Sequence, residues 1–217
     1  MEEFFKDLKN RVEAEARAGL PVDLADHPEA SSVSWTSLKP GGTNFKTHRL
    51  QMASSHRVEF VSTPGARLFS VVFAVVGLGG LVVGSIIGFA VGGGLLGLGM
   101  MAFGGIFLAV GVYMFRSFDR AIVFDLQDGM FWKGKRPNRA DSSIETEKEW
   151  CRIEDIVGIQ LLRERVLTSK SSYDSYEINL VLQDNSRLNV VDHGSMKQSR
   201  TDADALGLFL NVPVWGT

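Results

Sequence analysis

Four things are scarce in this sequence of 217 residues, and each scarcity narrows the field. Cysteine occurs once, as Cys151, so no intramolecular disulfide framework can form. A lone thiol fits a reducing compartment. Histidine occurs four times, at His27, His48, His56 and His193. No two stand at a helical or finger metal-ligand spacing, and Cys151 has no partner motif. This excludes the common metal sites, and no cofactor motif is found. Excess positive charge is missing: the formal net charge is -2, so the basic signature of a nucleic-acid binder is absent. The fourth scarcity is local. Between Leu68 and Phe115 there is no charged residue, and Arg67 and Arg116 bracket the gap.

That uncharged block is about two membrane spans long. Gly92-Gly93-Gly94 is a poor helix interior and a good tight turn. The sequence therefore predicts a transmembrane hairpin over 67–116, with helices at about 68–91 and 95–115. Each helix reaches ~30 Å at ~1.5 Å per residue, enough to cross a bilayer. The rival is a buried hairpin in a soluble protein. Two consecutive uncharged spans with cationic ends argue against it, and a long polar segment before the first span argues against a secretory signal. Arg49, Arg57 and Arg67 precede the first span. Arg116, Arg120, Lys133, Lys135 and Arg136 follow the second. The positive-inside rule then places both termini in the cytoplasm, with a very short turn outside.

Glycine is abundant, and its spacing is informative. Gly80, Gly84, Gly88 and Gly92 recur every four residues, while Gly97, Gly104 and Gly111 recur every seven. Each set lines one helix face and lets backbones approach closely. The spacing predicts that the two faces pack on each other. A homo-oligomeric interface or a channel-like assembly is the sharper alternative. No ionisable residue lies within the spans, so no proton relay or ion site is indicated.

The flanks are polar. Residues 1–20 read as an amphipathic helix, with Phe4, Phe5, Leu8 and Val12 on one side, docked on a cytosolic domain or lying on the membrane. A β-rich segment over 21–66 includes a predicted hairpin of strands at 33–38 and 43–52, with a further strand at 57–61. After the spans, 117–217 alternates as strands near 121–124, 130–133, 150–153, 157–166, 176–183 and 187–191. A helix capped by Thr201 then closes the chain, with Ala203, Leu206, Phe209 and Leu210 on its apolar side.

Three motifs test for chemistry. Gly129 to Lys135 has the glycine and lysine spacing of a phosphate-binding loop, but Arg136 stands where Ser or Thr is needed and Pro137 follows. It reads as a strand pair whose turn holds Gly129. Asp192-His193-Gly194-Ser195 sets acid, base and hydroxyl side by side, whereas working triads are assembled from distant positions. It reads as a strand-to-helix turn, with Gly194 supplying backbone freedom. Glu164, Asp174 and Glu177 read as solvated strand positions. No enzyme site emerges. The cations Arg116, Arg120, Lys133, Lys135, Arg136 and Arg139 form a candidate surface for anionic headgroups, and Phe131 and Trp132 are candidates for an interfacial position.

The stretches "FDRAIVFDLQDGMFWKG", "IEDIVGIQLL", "YEINLVLQDNSRLNVVDHG" and "DALGLFLNVPVW" give a run of antiparallel strands ended by one helix. This order resembles the bacterial PH-like domains attached to short membrane hairpins. The resemblance implies a membrane α-helical hairpin plus an α+β cytosolic domain, a PH-like β-sandwich or barrel closed by a C-terminal helix. It also implies a binding module and not a catalyst. Small membrane-hairpin proteins of this kind are similar to immunity proteins that protect against membrane-directed toxins, which would make a toxin the protein partner. An anionic-lipid-responsive module and a glycine-packed oligomeric channel-like hairpin are the alternatives. Membrane lipids are expected partners in each case, and nucleic acid in none.

Overall fold

The computed structural model describes residue 30 and residues 32–137, 149–167 and 171–216. The predicted N-terminal helix over 1–20 and Arg139 lie outside the described residues. The chain divides into a helical unit, 62–120, and a β unit built from the residues on either side of it.

In the helical unit, helix α1 (Pro64–Ser85) starts at Thr63, whose side chain accepts the Ala66 N–H, with Pro64 in the first turn. A π turn, Ile86–Ala90, extends it. Gly92 then takes φ 71, which relieves a side-chain-bearing residue of a left-handed conformation. Helix α2 (Gly94–Phe118) returns, one turn longer than the sequence predicts, so that Arg116 is helical. Both helices are long and apolar enough to cross a membrane.

Their burial pattern is inverted relative to a soluble protein. The buried residues are Ala66, Ser70, Gly77 and Gly84 on α1, and Gly97, Gly104 and Gly111 on α2. The large side chains point away: Phe89 is 83% and Leu95 88% exposed. Small residues thus form the seam, and leucine, valine and phenylalanine form the outside. Stacked rings of Phe73 and Phe107, 5.3 Å apart, close one side of the seam. At the feet of the helices, Arg67 bonds both Ser62 and Asp119, each at 2.7 Å.

The β unit contains two sheets. Strands β1 (His48–Ser54), β2 (Arg57–Ser62), β3 (Ile122–Asp125), β4 (Met130–Lys133) and β5 (Trp150–Arg152) lie side by side in that order. Strands β6 (Ile156–Leu167), β7 (Ser172–Leu182), β8 (Arg187–His193) and β9 (Val214–Gly216) form the second sheet, ordered β8-β7-β6-β9. No closed barrel is present among the described residues. Helix α3 (Met196–Leu210) packs against the second sheet, and its Ala203, Leu206 and Leu210 join one core with Phe60, Phe124, Phe131, Ile159, Ile178 and Leu180.

The strands before and after the helices belong to one sheet. β2 pairs antiparallel with β3, with Val58 opposite Phe124 and Phe60 opposite Ile122. The helical pair is therefore an insertion between two hydrogen-bonded neighbours.

Several expectations are corrected. The hairpin forms from β1 and β2, not from strands at 33–38 and 43–52, because residues 32–47 carry no strand. That segment is rich in Ser, Gly and Pro and bonds through its main chain to side chains of the second sheet. Helix α3 begins at Met196, and Thr201 lies inside it, donating its hydroxyl to the Lys197 carbonyl. The end of the chain adds β9, parallel to β6 through Ile159 and Val214, which the sequence did not signal. Gly194 does link strand to helix, but its φ is not positive. A Cβ there would collide with the Asn44 backbone, so close approach is the reason for glycine.

Candidate functional site

The described residues contain one extensive buried polar arrangement, and it lies on the second sheet. Side chains alternate along β7, so Tyr176, Ile178 and Leu180 enter the core while Glu177 and Asn179 face the other way. Segment 32–47 covers that second face. Glu177 is only 2% exposed. Its carboxylate accepts the Leu38 N–H at 3.0 Å, the Ser37 hydroxyl at 2.9 Å and the Asn189 amide at 3.2 Å. Gln160 donates to the Ser34 carbonyl at 3.0 Å, and Arg187 to the Thr36 carbonyl at 2.8 Å. Glu164 accepts the Gly41 N–H at 2.9 Å, and the Tyr173 hydroxyl reaches the Gly42 carbonyl at 3.1 Å. The sheet thus holds residues 34–42 as a strap, through the main-chain groups of Ser34, Thr36, Leu38, Gly41 and Gly42. Glu177 is a buried clamp here, not a solvated position, and half-buried Glu164 clamps the strap while staying partly solvated.

A second carboxylate adjoins the clamp. The Asn189 amide also donates to Asp192 at 2.9 Å, and Lys133 donates to Asn189 at 3.1 Å. Burial raises the Asp192 carboxyl above its ordinary range, and nearby Glu177 adds to this, against the bond from Asn189 and the charges of Lys133 and Lys39. A raised folded-state value means that ionised Asp192 opposes folding. Its favourable contribution is complete below the unfolded-state value of ~3.9 and is lost as pH rises through the raised folded-state value. Asp192→Asn keeps an acceptor for Asn189 and removes the charge. The variant is expected to raise the melting temperature at pH 7, with the advantage vanishing below about pH 4. Tryptophan fluorescence follows it, since Trp132 and Trp215 are buried. A lower melting temperature at pH 7 would contradict the assignment.

Asp192 and His193 are consecutive in β8, and consecutive strand residues face opposite sides. His193 is therefore in the core, fully buried, with Nε2 3.3 Å from Asp202 of α3 but not aligned for a hydrogen bond. The acid and base that stand together in sequence thus face opposite sides of the strand. Cys151 is buried in β5, opposite Phe131 of β4, and burial, reinforced by Asp155, pushes its thiol up to about 12. The thiol is protonated at neutral pH and is a poor nucleophile. Among the described residues no group of three or more His, Cys, Asp or Glu side chains could hold a metal ion. Gly129 turns from β3 to β4 at φ 66, and the described residues 135–137 that follow are not helical.

The predicted cationic set is divided. Arg116 and Arg120 belong to the helical unit; Lys133, Lys135 and Arg136 belong to the β unit. Lys133 is directed to Asn189. Arg136 pairs with Asp128 at 2.6 Å and stands over the Trp132 ring, which Arg57 also faces. Lys135 is exposed. Phe131 is 1% and Trp132 4% exposed, Phe131 in the main core and Trp132 in a separate cluster with Val123 and Met130. Neither residue is free to lie at an interface.

The predicted glycine set comes together within the hairpin. A Cβ on Gly80 would stand 3.0 Å from the Gly104 Cα, one on Gly84 2.7 Å from the Met101 nitrogen, and one on Gly88 3.6 Å from Gly97. One on Gly104 would meet the Leu81 nitrogen at 2.5 Å, and one on Gly111 the Ala74 nitrogen at 2.5 Å. Gly97 meets the Gly88 backbone. Gly92 has nothing within 4 Å and serves the turn. Gly77, which the four-residue spacing leaves out, is buried against Leu108 and Gly104. A seven-residue spacing from Ser70 through Gly77 to Gly84 would have found it.

Compared with known protein families, curated proteins and solved structures, the chain matches none.

Proposed function

We propose that the chain is a two-span protein of a bacterial inner membrane, with both termini cytoplasmic, whose β unit is a non-enzymatic binding module for a protein partner. One observation carries this reading. A helix pair whose large apolar side chains are exposed is inserted between two paired strands of a sheet. In water such an exterior is a large aggregation-prone patch, whereas in a bilayer it is the expected surface. The insertion tethers the β unit to the spans through both β2 and β3.

The β unit is of PH-like form in this reading: antiparallel strands in two sheets followed by one C-terminal helix. It departs from the simple pattern in taking β1 and β2 from before the spans and in adding the parallel β9. The buried polar groups Glu177, Gln160, Asn189 and Arg187 hold the chain's own strap or one another, so in this reading the partner is met by other surfaces of the β unit. The partner class is a membrane-directed toxin, with the chain acting as its immunity protein.

Affinity capture of the full chain from gently solubilised membranes tests the reading. It predicts one protein recovered in stoichiometric amount. Recovery of anionic lipid with no protein partner would overturn it in favour of a lipid-responsive module.

A further inference from the structure

The outer side of α2 carries a shallow apolar groove of about 460 Å³, lined by Gly105, Leu108, Ala109, Val112, Tyr113 and Arg116. Its floor is open because Gly105 has no side chain and its nearest neighbour, a Leu81 methyl, is 4.0 Å from where a Cβ would be. Gly105 to Arg116 spans about 16 Å along the axis at ~1.5 Å per residue. That is roughly half of the ~30 Å hydrocarbon core, the depth of one leaflet.

The two ends of the groove differ. Gly105 and Ala109 offer only apolar surface. Tyr113, 72% exposed, and Arg116, also exposed, stand at the other end. Arg67 is tied to Asp119. Arg116 makes no ion pair or hydrogen bond with any described residue, and neither does the Tyr113 hydroxyl. A cation and a phenol at the head of an apolar channel one leaflet long complement an anionic amphiphile. We propose that this groove seats one acyl chain of an anionic phospholipid, with its phosphate held by Arg116 and the Tyr113 hydroxyl. The proposal rests on the membrane reading above, and it names one lipid contact of the spans.

The test is native mass spectrometry of the delipidated full chain in detergent, titrated with phosphatidylglycerol or phosphatidylcholine. Phosphatidylglycerol is expected to bind more tightly. Arg116→Gln should weaken it about fivefold, the worth of one cation near the surface, and weaken phosphatidylcholine less, because the choline cation already offsets that phosphate. Ala109→Leu, which fills the groove, should weaken both lipids, while Lys135→Gln in the β unit should change neither. Equal affinity for the two lipids, or unchanged phosphatidylglycerol binding in Arg116→Gln, overturns the proposal. Alkaline extraction of the cell membranes separates the two failures. A chain released by the wash defeats the membrane reading itself, whereas a retained chain with unselective lipid binding defeats only the groove.

Discussion

Gly104→Ala is expected to destabilise the helical unit by about 3 kcal/mol or more, the upper end of what overpacking costs. The added methyl would lie 2.5 Å from the Leu81 nitrogen and 2.6 Å from the Gly77 carbonyl oxygen. Both obstacles are backbone, so no side-chain rotation relieves them, and the helices must separate. The control is Gly99→Ala on the same helix. Nothing lies within 4 Å of its Cβ position, so the change should cost nothing and gain up to about 1 kcal/mol from the helical preference of Ala over Gly. Thermal unfolding of the purified full chain in detergent, followed by circular dichroism at a helical wavelength, compares the two. Equal melting temperatures would show that the seam does not hold the hairpin together.

Glu177→Ala is the second large effect. Removing the carboxylate leaves the Leu38 N–H and one of the two Asn189 amide N–H groups without their acceptor in a nearly closed site, the other staying on Asp192. Each neutral donor left unsatisfied there costs about 1–3 kcal/mol. Hydrogen exchange should rise first at residues 34–42, the strap that Glu177 holds, while the core strands β6 and β7 remain protected. Glu177→Gln, which keeps one acceptor oxygen, should lie between Ala and the unaltered chain. Unchanged exchange over 34–42 in Glu177→Ala would mean that the strap is held by other contacts.

The contrast between these two sites explains what could be read from the sequence. The seam was legible because its determinants are local and periodic: an uncharged run, a glycine turn and small residues on one face. Even there the wrong period omitted Gly77 and included Gly92. The strands after the spans were legible from alternation, and Ala203, Leu206 and Leu210 were correctly assigned to a packed helix face. The strap was not. Alternation places Glu177 opposite the core face, and opposite usually means solvent. Only the long-range return of residues 32–47, more than 130 positions away, buries it. The same blindness explains Lys133. Its sequence neighbours suggest an exposed cation, while its contact is Asn189, in a strand of the other sheet.

The pairing of β2 with β3 had no signature in either strand alone. Once known, it constrains the topology, because the two helices must leave and re-enter one sheet. The measurement that bears most directly on the two-span reading is thiol accessibility in intact cells. In a Cys151→Ser background, Gly94→Cys and Lys135→Cys are each treated with a membrane-impermeant maleimide. Gly94 begins α2 at the turn with open space around it, and Lys135 is exposed in the β unit. The account predicts that, once any outer barrier is removed, Gly94→Cys is labelled on intact cells and Lys135→Cys only after lysis. Labelling of both only after lysis would contradict it.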